Sequence, residues 1–141
     1  MSDEILSVIE SSPFLGALSK ADTQRLASIA SVREFSPGEA IVREGSREAM
    51  TMWIVVDGEV EVRRGDTIVT EMGPGAHIGE MALFADSDHP RSAGVYAKTE
   101  VRAFRVAKWD LMPFIERNPK VAVAIIQELA RRLERVTDQL R

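Results

Sequence analysis

The sequence predicts a mainly β, α+β fold in which about eight short strands form a sandwich or barrel between helical ends. Three observations carry this prediction. Between Val32 and Val106 the chain is a series of short runs rich in Val, Ile and Thr, cut by Gly, Pro and Asp turn signals. Before Val32, apolar residues recur at helical spacing. After Asp110 that spacing returns and continues to the end of the chain.

The first helical stretch is short, around residues 5–9, and Pro13 separates it from a second. The second opens on Ser19-Lys20-Ala21-Asp22, which resembles a capping box ahead of Leu26, Ile29 and Ala30. Ser36-Pro37-Gly38 is a turn. Asp57-Gly58 lies between the runs 51–56 and 59–64 and is the strongest hairpin signal in the chain. Val60 and Val62 alternate with Glu59, Glu61 and Arg63, the period of a half-buried strand. Arg64-Gly65-Asp66 reverses the chain before the run 67–71, and Met72-Gly73-Pro74-Gly75 is a further turn. Two more runs follow, 93–97 and 100–106; the alternation of the second is imperfect because Arg102 and Arg105 interrupt it. Asn118-Pro119 reads as a helix cap with proline at the first helical position. The last helix carries Ala122, Ile126, Leu129, Leu133, Val136 and Leu140, a heptad seam. The seam fits either packing against the same chain or pairing with a second copy, with a slight preference for the dimer. Trp53 belongs to an apolar strand and is expected in the core, and Trp109 is expected to pack as a staple at a helix start.

With 141 residues, no internal repeat and no linker, the chain reads as one domain over 1–141. It divides into N-terminal helices (1–31), the β body (32–107) and C-terminal helices (108–141). Apolar residues at 45% suffice for a core. The net charge of −4 argues against broad attraction to nucleic acid or an anionic membrane, so an anion must be held by local donors. There is no cysteine, hence no disulfide and no thiolate metal site. Met1-Ser2-Asp3-Glu4 does not resemble a signal peptide, and no apolar run approaches the roughly 18 residues that span a bilayer. A cytoplasmic location is expected. His77 and His89 lack partners at metal-ligand spacing; His77 is read as structural and His89 as loop surface. No Gly-x-Ser-x-Gly elbow, Ser-x-x-Lys motif or Walker loop is present, so an enzyme is not expected.

The strand pattern breaks over residues 75–93, where the sequence runs Gly75-Ala76-His77-Ile78-Gly79-Glu80-Met81-Ala82-Leu83-Phe84 and, after a loop, Arg91-Ser92-Ala93. Residues 81–85 read as a short helix with Gly79 at its start. Glycine there permits close backbone approach to a ligand, and the N–H groups of a helix end favour an anion. Arg91 adds a bidentate cation suited to phosphate. Glu80, an acceptor, suits a sugar hydroxyl. Alone, Glu80 would also serve as a first-turn acid and Arg91 as a solvated surface residue. A cyclic nucleotide presents one phosphate charge beside a free ribose 2′-hydroxyl, which one helix end, one arginine and one carboxylate match together.

Gly79-Glu80-Met81-Ala82-Leu83-Phe84 followed by Arg91-Ser92-Ala93 resembles the phosphate-binding cassette of cyclic nucleotide-binding domains. These occur in catabolite activator proteins, protein kinase A regulatory subunits and cyclic nucleotide-gated channels. The resemblance covers nearly the whole chain. It implies an eight-stranded jelly-roll β-barrel with helices at both ends. It implies that Arg91 pairs with the cyclic phosphate and that Glu80 takes the ribose 2′-hydroxyl. It also implies that Gly79 and the backbone N–H groups near Met81, Ala82, Ser92 and Ala93 complete the site. Serine at 92 followed by alanine resembles the bacterial cyclic AMP pattern, whereas threonine there is associated with cyclic GMP; cyclic AMP is the expected ligand and cyclic GMP the second. No cofactor is expected. The loop 85–90, with Asp86 and Asp88, is longer than in the kinase subunits and slightly longer than in catabolite activators.

The expected function is that of a sensor module whose C-terminal helix moves toward the pocket on ligand binding. The expected partners are a second copy of the chain and either a separate effector or an output domain outside these residues. The competing expectation is a ligand-independent interaction or dimerisation domain that keeps the fold; retention of both Glu80 and Arg91 weighs against it.

Overall fold

The computed structural model describes residues 2–13, 15–29, 31–45, 51–79 and 93–140. The elements are α1 (Ser2–Ser11), a 3-10 turn (Leu15–Ala17), α2 (Lys20–Ile29), β1 (Ser31–Phe35), β2 (Ala40–Val42), β3 (Thr51–Asp57) and β4 (Val60–Arg64). They continue with β5 (Thr67–Met72), β6 (His77–Ile78), β7 (Gly94–Ala97), β8 (Val101–Ala107), α3 (Lys108–Arg117) and α4 (Pro119–Gln139).

The strands form two antiparallel sheets, ordered β1-β8-β3-β6 and β2-β7-β4-β5. Among the described residues no ladder closes them into a barrel. The helices cover the outer face of the first sheet. The reason lies in β3, where Met52, Trp53, Ile54, Val55 and Val56 are all buried. A strand apolar at every position is stable only when both its faces are covered. Met52, Ile54 and Val56, with Phe104 and Val106 of β8, pack against Ile5, Ile9, Leu15, Leu26, Leu111, Phe114 and Val121 of the helical layer. Trp53 and Val55, with Val101 and Ala103 of β8, face the second sheet through Val60, Val95 and Ala97. Phe35 meets Trp53 edge-on, with ring centroids 5.5 Å apart. Each such buried side chain contributes about 1.5–3 kcal/mol.

Asp57-Gly58 is not a hairpin. Its flanking strands belong to opposite sheets, β3 pairing with β8 and β6 while β4 pairs with β5 and β7. The turn is a corner between sheets. Gly58 has φ +90°, and a Cβ there would lie 2.1 Å from the Glu100 carbonyl oxygen, so only glycine fits. Local chemistry specified a reversal there, while burial of β3 decided its partners. The true hairpin is the next one, where Gly65 and Asp66 join Arg64 to Thr67.

Trp109 does not form a staple. It lies in the first turn of α3, 64% exposed, while Leu111, Phe114 and Ile115 carry the buried face.

The capping box is also redistributed. Asp22 N–H donates to Ser19 Oγ at 3.2 Å, as predicted. The Ser19 N–H, however, donates to Asn118 Oδ1 at 3.0 Å. The Asn118 amide in turn donates to Asp22 Oδ2 at 2.6 Å and to the Phe114 carbonyl at 2.7 Å. Asn118 therefore makes no side-chain cap on α4, and Pro119 alone supplies the predicted start. It ties the start of α2 to the α3–α4 junction instead. Arg25 and Arg117 complete the setting of the buried Asp22 carboxylate. The Asn118 hydrogen bond holds this carboxyl below its usual range; burial opposes the shift, and the two arginines assist it.

A depressed folded-state value gives stability that is present above the unfolded-state pKa, about 4, and lost as pH falls through the lower folded value. The melting-temperature gap between wild type and Asp22→Asn is therefore constant above about pH 5 and narrows as pH falls below about 4. Thermal unfolding from pH 7 to pH 3 measures it; a gap that does not change with pH contradicts the assignment.

Candidate functional site

The predicted cassette begins and ends on described residues. Gly79 follows β6, and Ala93 precedes β7. Glu80, Met81, Ala82, Arg91 and Ser92 lie outside the described residues, as do the short helix 81–85, Asp86, Asp88 and His89.

Register shows at which end of the sheets Gly79 and Ala93 each lie. Ile78 pairs with Trp53, near the start of β3, and Gly94 pairs with Arg63, near the end of β4. The corner between β3 and β4 sits at the opposite end of both strands. Gly79 and Ala93 thus stand at the end of the two-sheet body remote from that corner. The core is less tightly closed on this side. Val60 is fully buried, whereas Val62, two residues further along β4, is only half-buried. Ile41 and Val42 of β2 are likewise partly buried against the inter-sheet core. Gly79 and Ala93 therefore stand at the end of the body where the apolar wall between the sheets is only partly covered. β8 ends here too, since Ala107 pairs with Thr51, so α3 and α4 leave the sheet from the same end.

Gly79 has φ +82°, a left-handed conformation that glycine adopts without strain. It turns the chain at the end of a strand only two residues long. Alternation sends Ile78 into the inter-sheet core and His77 toward the helices. His77 is buried, and its Nε2 shares a 2.7 Å hydrogen bond with Ser12 Oγ. This bears out the structural reading of His77 and adds Ser12, which nothing in its sequence context marked. On the return side, Tyr96 stacks under the Arg63 guanidinium at 4.8 Å, and Arg63 Nη2 and Nε both donate to Glu61 Oε2, at 2.6 and 3.1 Å. The period-2 pattern of β4 put Glu61 and Arg63 on one face, but the ring under Arg63 comes from another strand.

On α4, Val121 and Ile125 are buried, while Ile126, Leu133, Val136 and Leu140 are exposed. The residues the core buries lie beside the predicted seam, and of the seam itself only Ala122 and Leu129 pack partly against the core. Arg131 draws the Glu128 carboxyl below its usual range, helped by Arg132 and Arg135. Among the described residues no group of three or more His, Cys, Asp or Glu is arranged to hold a metal ion. No helix among them is long and apolar enough to cross a membrane.

Comparison with known proteins agrees with this geometry. The family model "Cyclic nucleotide-binding domain" matches residues 32–118. The "CRP-like cAMP-activated global transcriptional regulator" of Mycobacterium tuberculosis is 29% identical over 112 residues, 76% of this chain and 49% of that protein. The "cAMP-dependent protein kinase regulatory subunit" of Mycosarcoma maydis is 34% identical over 89 residues, 60% of this chain and 16% of that protein. The chain thus spans half or less of the length of these relatives. The Thermus thermophilus catabolite activator protein superposes with a TM-score of 0.78 at 26% identity, covering 92% of this chain and 62% of that one. A match over residues 32–118, which is more than half of the sequence, shows that this chain belongs to the cyclic nucleotide-binding domain family.

Proposed function

We propose that this chain is a cyclic nucleotide sensor module, a regulatory domain rather than an enzyme, with cyclic AMP the preferred ligand and cyclic GMP the second. The observation that carries the reading is that Gly79 and Ala93 stand at the same end of the two sheets, beside the partly buried Ile41, Val42 and Val62. In this reading Arg91 pairs with the cyclic phosphate and Glu80 accepts from the ribose 2′-hydroxyl. Gly79 and the backbone of Met81, Ala82, Ser92 and Ala93 complete the cradle. An acidic chain needs such a local set of donors to hold an anion. The relatives named for cyclic AMP support the choice of purine.

The strand orders 1-8-3-6 and 2-7-4-5 support jelly-roll wrapping, in which successive strands alternate between two sheets except at the β4–β5 hairpin. One domain over 1–141, acting in the cytoplasm, is the matching organisation. Because α3 and α4 leave from the cassette end, ligand occupancy has a short path to them. The output is then a shift between helix positions, set by their difference in ligand affinity. The exposed Ile126, Leu133, Val136 and Leu140 support pairing of α4 with a second copy, and an effector or output domain reads the change. The competing reading, a ligand-independent interaction domain, uses the same seam but leaves Glu80 and Arg91 without a role.

Thermal unfolding with and without millimolar cyclic AMP tests the site. At ligand near a hundred times Kd, binding stabilises the fold by about 2.7 kcal/mol, a rise of several degrees. Arg91→Glu abolishes that rise and leaves a folded domain, since breaking a buried charge pair costs about 2–5 kcal/mol of binding. No rise with either cyclic AMP or cyclic GMP favours the competing reading; a normal rise in Arg91→Glu contradicts the phosphate assignment. Sedimentation tests the seam: wild type is a dimer and Leu133→Glu a monomer, whereas equal masses contradict pairing through α4.

A further inference from the structure

We propose that His77, held by Ser12, is a positioning residue for the nucleotide site. The inference rests on the ligand reading above and adds to it a pair of residues outside the cassette motif.

β6 is two residues long and stands at the edge of its sheet, paired with β3 through Trp53 and Ile54. So short a pairing does little to fix the strand's direction, and its side chains must anchor it. Ile78 anchors one face by burial in the inter-sheet core, where it is 3% exposed. His77 anchors the other through the 2.7 Å hydrogen bond between Nε2 and Ser12 Oγ, with both residues buried. Ser12 is itself held firmly. Its N–H donates to the Ile9 carbonyl at 3.1 Å and its carbonyl accepts from Gly16 N–H at 3.1 Å. Its Oγ also accepts from Leu15 N–H at 3.0 Å. The corner between α1 and the 3-10 turn is thus a fixed post, and His77 is the arm that ties β6 to it.

The next residue but one is Gly79, in the left-handed conformation, and Glu80 follows it in sequence. The path on which the chain enters the cassette is set by how β6 is held, and a displacement of about an ångström at a binding group is enough to weaken recognition. A purely structural histidine would affect stability and leave ligand affinity alone. A positioning histidine changes affinity in the folded protein, and does so through Ser12.

Equilibrium dialysis of the intact chain against cyclic AMP, below the melting temperature of each ligand-free variant, separates these roles. Ser12→Ala and His77→Phe are each expected to weaken binding about tenfold, within the usual coupling of a buried hydrogen-bond pair. The double variant is expected to bind no more weakly than either single one, and Ser12→Thr, which keeps the hydroxyl, stays within about twofold of wild type. Wild-type affinity in Ser12→Ala, or a double variant that loses the product of the two single effects, overturns the proposal. If His77→Phe does not fold, the contrast between Ser12→Ala and Ser12→Thr decides by the same criterion. A wild type that binds neither cyclic AMP nor cyclic GMP overturns the ligand reading and this proposal with it. A wild type that binds, with variants that bind equally well, overturns this proposal alone.

Discussion

The pairing of β3 with β8, buried on both faces, is the constraint from which the rest of the structure follows. Alternate residues of β3 enter two different cores, Met52, Ile54 and Val56 under the helices and Trp53 and Val55 between the sheets. A strand so buried cannot be an outer layer, so helices must cover one side and a second sheet the other. That assigns β4 to the second sheet and makes Asp57-Gly58 a corner. The corner closes one end of the body and leaves Gly79, Ala93 and the start of the C-terminal helices at the other.

Much of this was legible in the sequence. The strand runs, the Gly65-Asp66 reversal and the C-terminal helix all carry local signals, and the structure contains each. Partnership was not legible where local chemistry and burial compete. Asp57-Gly58 has the composition of a hairpin, yet the unbroken apolar run before it implies a strand covered on both faces, and burial decided the topology. Asn118 shows the same limit on a smaller scale. It stands in a capping position by sequence, but its amide serves Asp22 and Ser19, nearly a hundred residues away in the chain. Trp109 is apolar enough to suggest packing, yet Leu111, Phe114 and Ile115 already fill the buried stripe of α3.

The candidate site divides in the same way. Glu80 and Arg91 were legible as a motif, because a carboxylate, a helix start and an arginine in that order match the chemistry of a cyclic phosphate and its ribose. Nothing in the motif shows what carries it. The structure supplies the carriers: β6, fixed by Ile78 on one face and His77 on the other, and β7, entered beside the Arg63–Tyr96 stack. Ser12 had no signal, since a serine after a helix is ordinary and its partner lies 65 positions further along the chain. The polar Ser12–His77 and Asn118–Asp22 contacts join the N-terminal helices to the cassette strand and to the base of α4. The helical layer is therefore attached at both places where a ligand signal would enter and leave.

The claim at the centre of this account is that the acidic chain holds a cyclic nucleotide through a local set of donors. Calorimetric titration of the intact chain with cyclic AMP and, separately, cyclic GMP tests it most directly. The account predicts saturable binding at one nucleotide per chain, with cyclic AMP the tighter ligand. Absence of saturable heat with either nucleotide at millimolar concentration would contradict it.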